Sequence, residues 1–245
     1  MRILGIDTAI PTASVALLQD GELLAEKIHH RPSGVGFQPL GNHAEVVLPL
    51  IKSLFEKAQI TVQQLSGIAV SIGPGSFTGL RIGLATAKGI AYDSGLPLVG
   101  VSTLHANAAR VNDFEGVIAS LLDARKSEVY LALFRRDKVT TTRLTSDSVV
   151  SLDSAVDLMR EYCVGSSDDL LLVGDGAKAY ERRLIDALGW PARTSSGVCY
   201  PSIASQVAML GSQRLVDSSS ADDAGALTPV YLRLSEAESK RKNLS

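Results

Sequence analysis

An acidic residue followed by a hydroxyl residue stands at the end of the first apolar run of the chain. Residues 2–6 are strand-like, and Asp7-Thr8-Ala9 opens the turn that follows them. A carboxylate and a hydroxyl in such a turn could hold a metal-bound phosphate, with turn amides facing its oxygens. The same residues also suit a turn in which Asp7 bonds its own backbone, and the local pattern favours this structural interpretation.

A glycine-rich run, Gly73-Pro74-Gly75-Ser76-Phe77-Thr78-Gly79, follows a predicted strand and opens a predicted helix. Anions bind at such strand-to-helix turns. The run fails the dinucleotide-binding template because position 78 is Thr, and it fails the P-loop template because no Lys follows Gly79. A phosphate-binding turn and a purely structural turn, in which glycine supplies unusual backbone angles, therefore stay open as alternatives.

Metal and nucleophile chemistry have less support. His43 begins a predicted helix, but a zinc-binding helix would present a second His one turn later, and position 47 is Val. A nucleophile elbow is absent, because Ser76 is the second residue of a Gly-x-x-x-Gly run. Asp123 ends a predicted strand two residues before Arg125, and an ion pair between them is the favoured interpretation. The sequence predicts neither a catalytic residue nor a metal site.

Two predicted helices have compositions that suggest close packing. The helix over residues 76–94 carries Gly79, Gly83 and Ala87 at a spacing of four, although each mid-helix glycine costs about 1 kcal/mol relative to alanine. The helix over residues 43–58 is apolar around most of its circumference. Packing within the chain explains both patterns, and a partner protein covering an apolar face explains them equally.

The elements that carry these residues fall into two halves. Residues 2–6, 13–18 and 22–28 predict an antiparallel meander, and the first half as a whole follows the order β-β-β-α-β-α-β. The second half alternates strands and helices, and its last predicted helix covers 202–216. A boundary near residue 100 separates a first lobe, 1–100, from a second lobe, 101–245. Pro49 is expected to kink the helix that contains it.

Composition limits the classes of function. The chain has 245 residues, and its 24 basic and 26 acidic residues give a net charge of −2, which is not the basic footprint of a protein that grips nucleic acid by itself. Cys163 and Cys199 belong to no CxxC pattern. The chain lacks a signal peptide and any apolar run of about 18 residues, so we expect a cytoplasmic protein.

Several blocks of sequence resemble known families. Ile3-Leu4-Gly5-Ile6-Asp7-Thr8-Ala9 resembles the first hairpin of the actin, heat-shock protein and sugar kinase (ASKHA) superfamily. Beyond it, the chain is similar to the bacterial TsaB family, also called YeaZ. The blocks that carry this resemblance lie between residues 2 and 233: Asn42-His43-Ala44-Glu45, Gly73 to Gly83, Ala87-Lys88-Gly89, Asp123-Ala124-Arg125 with Glu128-Val129-Tyr130, and Pro229-Val230-Tyr231-Leu232-Arg233.

The resemblance implies a two-lobed α/β fold of the ASKHA type, with mixed sheets flanked by helices. It also implies work in threonylcarbamoylation of adenosine 37 in tRNAs reading ANN codons. The transfer is made by the metal-dependent paralogue TsaD, whose His pair is broken here at Val47. The chain would be a non-catalytic, cofactor-free subunit that activates TsaD, joins the ATPase TsaE in a ternary complex, forms a homodimer when alone, and meets tRNA only indirectly.

The resemblance places the partner interface on the two helices of the first lobe. The residues it selects there are His43, Val47, Leu50, Leu54, Gly79, Leu80, Gly83 and Ala87. A vestigial, weak nucleotide site would use Asp7, Thr8, Gly73 and Gly75. Two alternatives stay open: an independent ATPase or small-molecule kinase with Gly174-Asp175-Gly176 as its second turn, and a metalloprotease, which Val47 argues against.

Overall fold

The fold was analysed in a computed structural model that describes residues 1–29, 43–163, 169–190, 192–194, 202–217 and 221–233. The loop that the sequence predicts over residues 29–41, which is long enough to be mobile or to carry function, lies outside these residues from position 30 onward. The chain divides into two compact units, one of Met1–Ala106 with Tyr200–Val230 and the other of Asn107–Cys199 with Tyr231–Ser245. The second unit thus begins a few residues after the predicted boundary.

The first unit is built on a five-stranded sheet. Its strands in chain order are β1 (Arg2–Asp7), β2 (Ala13–Gln19), β3 (Glu22–His29), β4 (Gly67–Gly73) and β5 (Leu98–Ser102). They lie in the order β3-β2-β1-β4-β5. The first three pair antiparallel, which confirms the predicted meander, whereas β4 pairs parallel with both β1 and β5. The sheet is therefore mixed, and the parallel pairs bring the ends of β1 and β4 to one edge.

Helices cover both faces of this sheet. The helices α1 (His43–Ala58) and α2 (Phe77–Ser94) pack on one face, where Leu4 and Ile6 of β1 point. A third helix, Ala204–Asp217, packs on the opposite face, where Ile3 points. This alternation follows from the period of two in a strand. The sequence-based division placed that third helix in the second lobe, but in the structure it completes the core of the first unit.

The second unit also contains a mixed sheet. Its strands are β6 (Gly116–Asp123), β7 (Glu128–Arg136), β8 (Thr141–Arg143), β9 (Ser148–Ser151), β10 (Leu170–Val173) and β11 (Arg193–Thr194). They form the order β11-β10-β6-β7-β8, with β9 also pairing with β7. The core of this unit gathers apolar residues from β6, β7 and β10 and from the helices that cover them.

Four helices complete the described part of the chain before Ala204–Asp217, which is α7. They are α3 (Thr103–Ala108), α4 (Leu152–Cys163), α5 (Asp175–Ala179) and α6 (Glu181–Leu188). The sequence predicts one helix from the turn Gly174-Asp175-Gly176 to about Leu188, but the structure has two helices there that meet at Tyr180. Helix α1 has the predicted bounds and is continuous through Pro49, which is exposed.

Candidate functional site

The carboxylate at the end of β1 is held by its own chain. Asp7 is fully buried, and its Oδ1 accepts hydrogen bonds from the Ala9 N–H at 3.1 Å and from the Ser71 hydroxyl at 2.5 Å. Ser71 lies on β4, which runs parallel to β1, so the strand pairing itself brings the hydroxyl to the carboxylate. The bond to the Ala9 N–H is the local backbone contact that the turn interpretation of Asp7 requires.

Helix α2 lies directly against the turn after β1, and its glycines allow this approach. The Thr8 hydroxyl is buried and donates to the Gly79 carbonyl at 2.7 Å. A Cβ atom on Gly79 would lie 2.0 Å from the Thr8 carbonyl oxygen, and one on Gly83 would lie 2.2 Å from the Thr8 hydroxyl oxygen. Both distances are far below van der Waals contact, so the spacing of these two glycines has a structural cause within the chain.

The glycine-rich turn before α2 is packed in the same way. Gly73 has a φ of +113°, and a Cβ on it would lie 2.8 Å from the Val230 carbonyl oxygen. A Cβ on Gly75 would lie 2.4 Å from the Ala9 carbonyl oxygen, which also accepts the Ser76 N–H at 2.8 Å. Donors at the start of α2 are thus used by the chain itself, which supports the structural alternative for this turn. Nucleotide binding by these residues stays a prediction.

Most of the residues selected for the partner interface are buried within the first unit. Val47, Leu54, Leu80 and Ala87 are each at most 1% exposed, and Gly79 and Gly83 are buried against Thr8. Leu50 is half-buried. The side chain of His43 lies outside the described residues. Contact with a partner through α1 and α2 would therefore be made by other residues of the same helices.

The outward sides of α1 and α2 present those residues. Leu48 is 56% exposed and Tyr92 is 93% exposed, so both offer apolar or aromatic area to a second protein. Gly89 is exposed, and a Cβ on it would meet no atom within 4 Å. Packing within the described chain therefore gives no reason for this mid-helix glycine. We call Leu48, Pro49, Ala85, Gly89 and Tyr92 the outer helix face.

The sequence contains a signal for the outer helix face, the position of Gly89 on α2, that the search for regularly spaced small residues does not select. At 100° per residue, Gly89 lies about 160° around the helix from Ala87 and about 120° from Gly83, and so outside the buried stripe. Tyr92 follows one turn later on the side of Gly89. Pattern analysis selected the small residues of the buried stripe because their spacing of four is regular, and it gave no weight to a single glycine outside that stripe.

The second unit contains a hairpin turn between β6 and β7 with an uncommon backbone. Arg125, Lys126 and Ser127 have φ values of +65°, +54° and +58°. Left-handed angles cost a residue other than glycine about 1–2 kcal/mol. The Glu128 N–H donates to the Arg125 carbonyl at 3.0 Å and closes the turn. We call residues 125–127 the cationic tip.

Several contacts fix the cationic tip in this conformation. The Asp123 carboxylate accepts the Arg125 N–H at 2.8 Å and the Tyr180 hydroxyl at 3.0 Å. The predicted ion pair between Asp123 and the Arg125 guanidinium is confirmed, with a separation of 3.5 Å. Arg183 of α6 donates to the Ser127 hydroxyl at 3.3 Å. The tip is therefore held from β6 and from the α5–α6 segment.

Arg233, at the end of the described chain, contacts residues on both sides of this turn. Its guanidinium donates to the Ala124 carbonyl at 2.7 Å and pairs with the Glu128 carboxylate at 3.0 Å. Burial raises the pKa of the nearby Tyr130 phenol, and the charge of Arg233 opposes that rise. Asp123-Ala124-Arg125, Glu128-Val129-Tyr130 and Arg233, which are separate in sequence, thus belong to one cluster in the second unit.

The proposed second nucleotide turn of an ATPase is also closely packed. A Cβ on Gly174, which has a φ of +103°, would lie 2.1 Å from the Leu121 carbonyl oxygen. A Cβ on Gly176 would lie 2.7 Å from the Leu122 carbonyl carbon. These glycines let α5 approach β6, which is a structural reason for both. Among the described residues, no three His, Cys, Asp or Glu side chains cluster in a way that could hold a metal ion.

None of the helices in the described residues is long and apolar enough to cross a membrane.

Comparison with known proteins gives consistent matches. The family model of the tRNA N6-adenosine threonylcarbamoyltransferase TsaD matches residues 21–240. The tRNA threonylcarbamoyladenosine biosynthesis protein TsaB of Bacillus subtilis is 31% identical over 98% of this chain and 97% of its own length. TsaB of Escherichia coli is 38% identical over 56% of this chain and 57% of its own length.

The fold has a solved counterpart. The structure of YeaZ from Pseudomonas aeruginosa superposes with a TM-score of 0.75 at 24% identity, and the match covers 94% of this chain and 99% of that one. The predicted α/β fold of the ASKHA type, with mixed sheets flanked by helices, is confirmed by this likeness and by the two sheets described above.

Proposed function

Because the chain belongs to the TsaB family of tRNA threonylcarbamoyladenosine biosynthesis proteins, we propose that it is a non-catalytic subunit that binds and activates the TsaD transferase. The outer helix face is the docking surface in this proposal. The observation that carries this proposal is Gly89, a mid-helix glycine at which an added Cβ would meet no atom within 4 Å. Such a position lets the backbone of a second protein approach closely.

The neighbours of Gly89 fit the same role. Leu48 and Tyr92 supply exposed apolar and aromatic area on the two adjacent helices, and aromatic side chains often dominate binding energy at interfaces. A partner that covered these side chains would remove their apolar area from water. In the absence of the transferase, two copies of the chain would cover the face in a symmetric homodimer.

Activation requires more than binding. A subunit that bound the active and inactive states of the transferase equally would not change their ratio, however tightly it bound. The outer helix face must therefore fit the active state better. About 1.4 kcal/mol of preference shifts the ratio tenfold. In this proposal the ATPase TsaE joins the pair, no metal or nucleotide on this chain takes part in the transfer, and the chain acts in the cytoplasm.

Substitutions on the outer helix face test the proposal. Leu48→Ala combined with Tyr92→Ala removes two exposed anchors, and we expect the affinity for the transferase, measured by isothermal titration calorimetry, to fall at least about tenfold. Gly89→Gln places a side chain where the partner backbone would lie and should weaken binding similarly. Formation of threonylcarbamoyladenosine in tRNA should fall in parallel when the subunits are limiting.

The matched control is Val216→Ala on α7. Val216 is 64% exposed, but it lies on the helix that covers the opposite face of the first sheet. We expect it to leave both binding and tRNA modification unchanged. Wild-type affinity in both outer-face variants would contradict the proposed docking surface. ATP turnover by the isolated chain that is abolished by Asp7→Ala would contradict the proposal in favour of an independent enzyme.

A further inference from the structure

We propose that the cationic tip, together with the cations of the α5–α6 segment, binds the phosphate backbone of RNA. This inference rests on the proposed function, because the RNA in question is the tRNA that the transferase complex modifies. The tip presents Arg125, whose side chain is 84% exposed, and the exposed Lys126. It therefore adds a direct contact to the indirect contact with tRNA that the resemblance implies.

Further cations lie beside the tip. Arg183 reaches Ser127 across 3.3 Å, which fixes the start of α6 next to the tip. Arg182, 95% exposed, is adjacent in sequence, and Lys178 is exposed near the end of α5, three residues before α6 begins. In the part of the chain that the structure describes, carboxylates pair with Arg125 and Arg182 but not with Lys126, Lys178 or Arg183. Three cations of this surface are thus available to an external anion.

The backbone conformation of the tip indicates that Arg125 and Lys126 have a function other than stabilising the fold. Lys126 and Ser127 occupy the central positions of a hairpin turn in which both residues have positive φ, and such turns favour Asn-Gly or Gly-Gly. Glycine at these positions would relieve the backbone strain. Strained conformations of this kind cluster at functional sites, where the surrounding contacts hold them.

A polyanion suits this surface better than a small anion. Exposed cations remain hydrated, so any one of them gains little from pairing with a single phosphate or carboxylate. A nucleic acid backbone gains from several such contacts at once, because each contact releases condensed counterions from the RNA. Five cations on the turn and on the two helices α5 and α6 could together make that kind of summed contact.

The test replaces the cations with the residue that the turn geometry prefers. In Arg125→Gly combined with Lys126→Gly, we expect the melting temperature to rise, because the strain is relieved, while the affinity for tRNA falls about tenfold at 0.15 M salt. The slope of log affinity against log salt should become shallower by about 1 to 2. The affinity and its salt dependence are measured by fluorescence anisotropy of labelled tRNA, with the chain alone and with its complex with the transferase.

The matched control is Arg135→Ala combined with Lys138→Ala, at the other end of β7 and in the turn that follows it. Both residues are exposed, and at about 3.3 Å per residue Arg135 lies roughly 25 Å from the tip. We expect this variant to bind tRNA like the wild type. Assembly with the transferase, followed by light scattering, should be unchanged in both variants, because neither alters the outer helix face.

The outcomes separate this inference from the proposed function. Failure of the wild-type chain to assemble with the transferase overturns the proposed function, while titration of the chain alone with tRNA still tests the tip. Unchanged tRNA affinity in the tip variant, or no salt-dependent tRNA binding by chain or complex, overturns the inference. Unchanged tRNA affinity with weakened assembly overturns it in favour of an acidic protein surface.

Discussion

Two glycines on α2 illustrate how the same residue type can serve opposite purposes. A Cβ on Gly83 would lie 2.2 Å from the Thr8 hydroxyl oxygen, whereas a Cβ on Gly89 would meet nothing within 4 Å. The first glycine is required by packing inside the chain. The second lowers the helix propensity of α2 and has no packing contact within the described chain that requires it. Its presence therefore supports contact with a partner.

This contrast gives a paired stability prediction. Gly83→Ala should lower the free energy of unfolding by about 1–3 kcal/mol, because the added methyl group must displace Thr8 or shift α2. Gly89→Ala should raise it by about 1 kcal/mol, since the helix gains propensity without a clash. Urea denaturation of both variants measures the two changes, and a destabilised Gly89→Ala protein would show that this glycine has a role within the monomer.

A second prediction at the residue scale concerns Asp137, in the turn between β7 and β8. Hydrogen bonds from the Thr140 and Val139 N–H groups and from the Thr140 hydroxyl lower its pKa to about 2. A lowered pKa means that the turn is stabilised above the ordinary pKa near 4 and loses that stabilisation as pH falls towards 2. Asp137→Asn keeps an acceptor but should lose this pH dependence.

Carbon-13 NMR of the Asp137 carboxyl group reports the pKa directly. A titration midpoint near 2 is expected, and a midpoint near 4 would mean that the turn hydrogen bonds do not persist in solution.

At the scale of elements, strand β5 has its outer edge covered by a returning segment. The Asp222 N–H donates to the Leu98 carbonyl at 2.9 Å, and the Asp222 carboxylate accepts the Gly100 N–H at 2.8 Å. Arg214 of α7 donates to both oxygens of that carboxylate, at 2.6 and 3.1 Å. A single carboxylate therefore joins the sheet edge, α7 and the segment after it.

Asp222 should control how tightly this edge is held. Burial alone would raise its pKa, but the hydrogen bonds from Arg214 and Gly100 outweigh burial and lower it. The stabilisation is thus present above pH 4 and is lost as pH falls. Asp222→Ala leaves the Gly100 N–H without its acceptor, and we expect a loss of about 1–3 kcal/mol in the free energy of unfolding.

Hydrogen exchange at the Gly100 amide measures this effect locally. Exchange should become faster in Asp222→Ala and remain slow in the conservative Asp222→Asn. Equal protection in the wild type and Asp222→Ala would show that the edge is held by other contacts.

Local patterns predicted most elements because their signals are local. The alternating strands of the meander and the apolar period of α1 gave those elements within about two residues of their observed bounds. The split of α5 from α6 at Tyr180 was missed, since no glycine or proline marks it. Packing of Gly79 and Gly83 within the chain was one of two alternatives that the sequence left open, because their contact is Thr8, which is about 70 residues away in sequence.

At the scale of the whole molecule, the least predictable feature was the return of α7 to the first unit. Its glycine, Gly211, packs against Ala69 of β4, and a Cβ there would lie 2.4 Å from the Ala69 side chain. Such a contact joins segments more than a hundred residues apart and leaves no local pattern. The family likeness, by contrast, was visible in short blocks spread over almost the entire chain, and the comparisons confirm it.

The central claim is that this chain acts by docking through α1 and α2. Size-exclusion chromatography with light scattering, on the chain alone and then mixed with its TsaD transferase, tests that claim most directly. The account predicts a homodimer that gives way to a one-to-one heterodimer, with Gly89→Gln weakening both. A chain that is monomeric alone and keeps its own elution position in the mixture would contradict it.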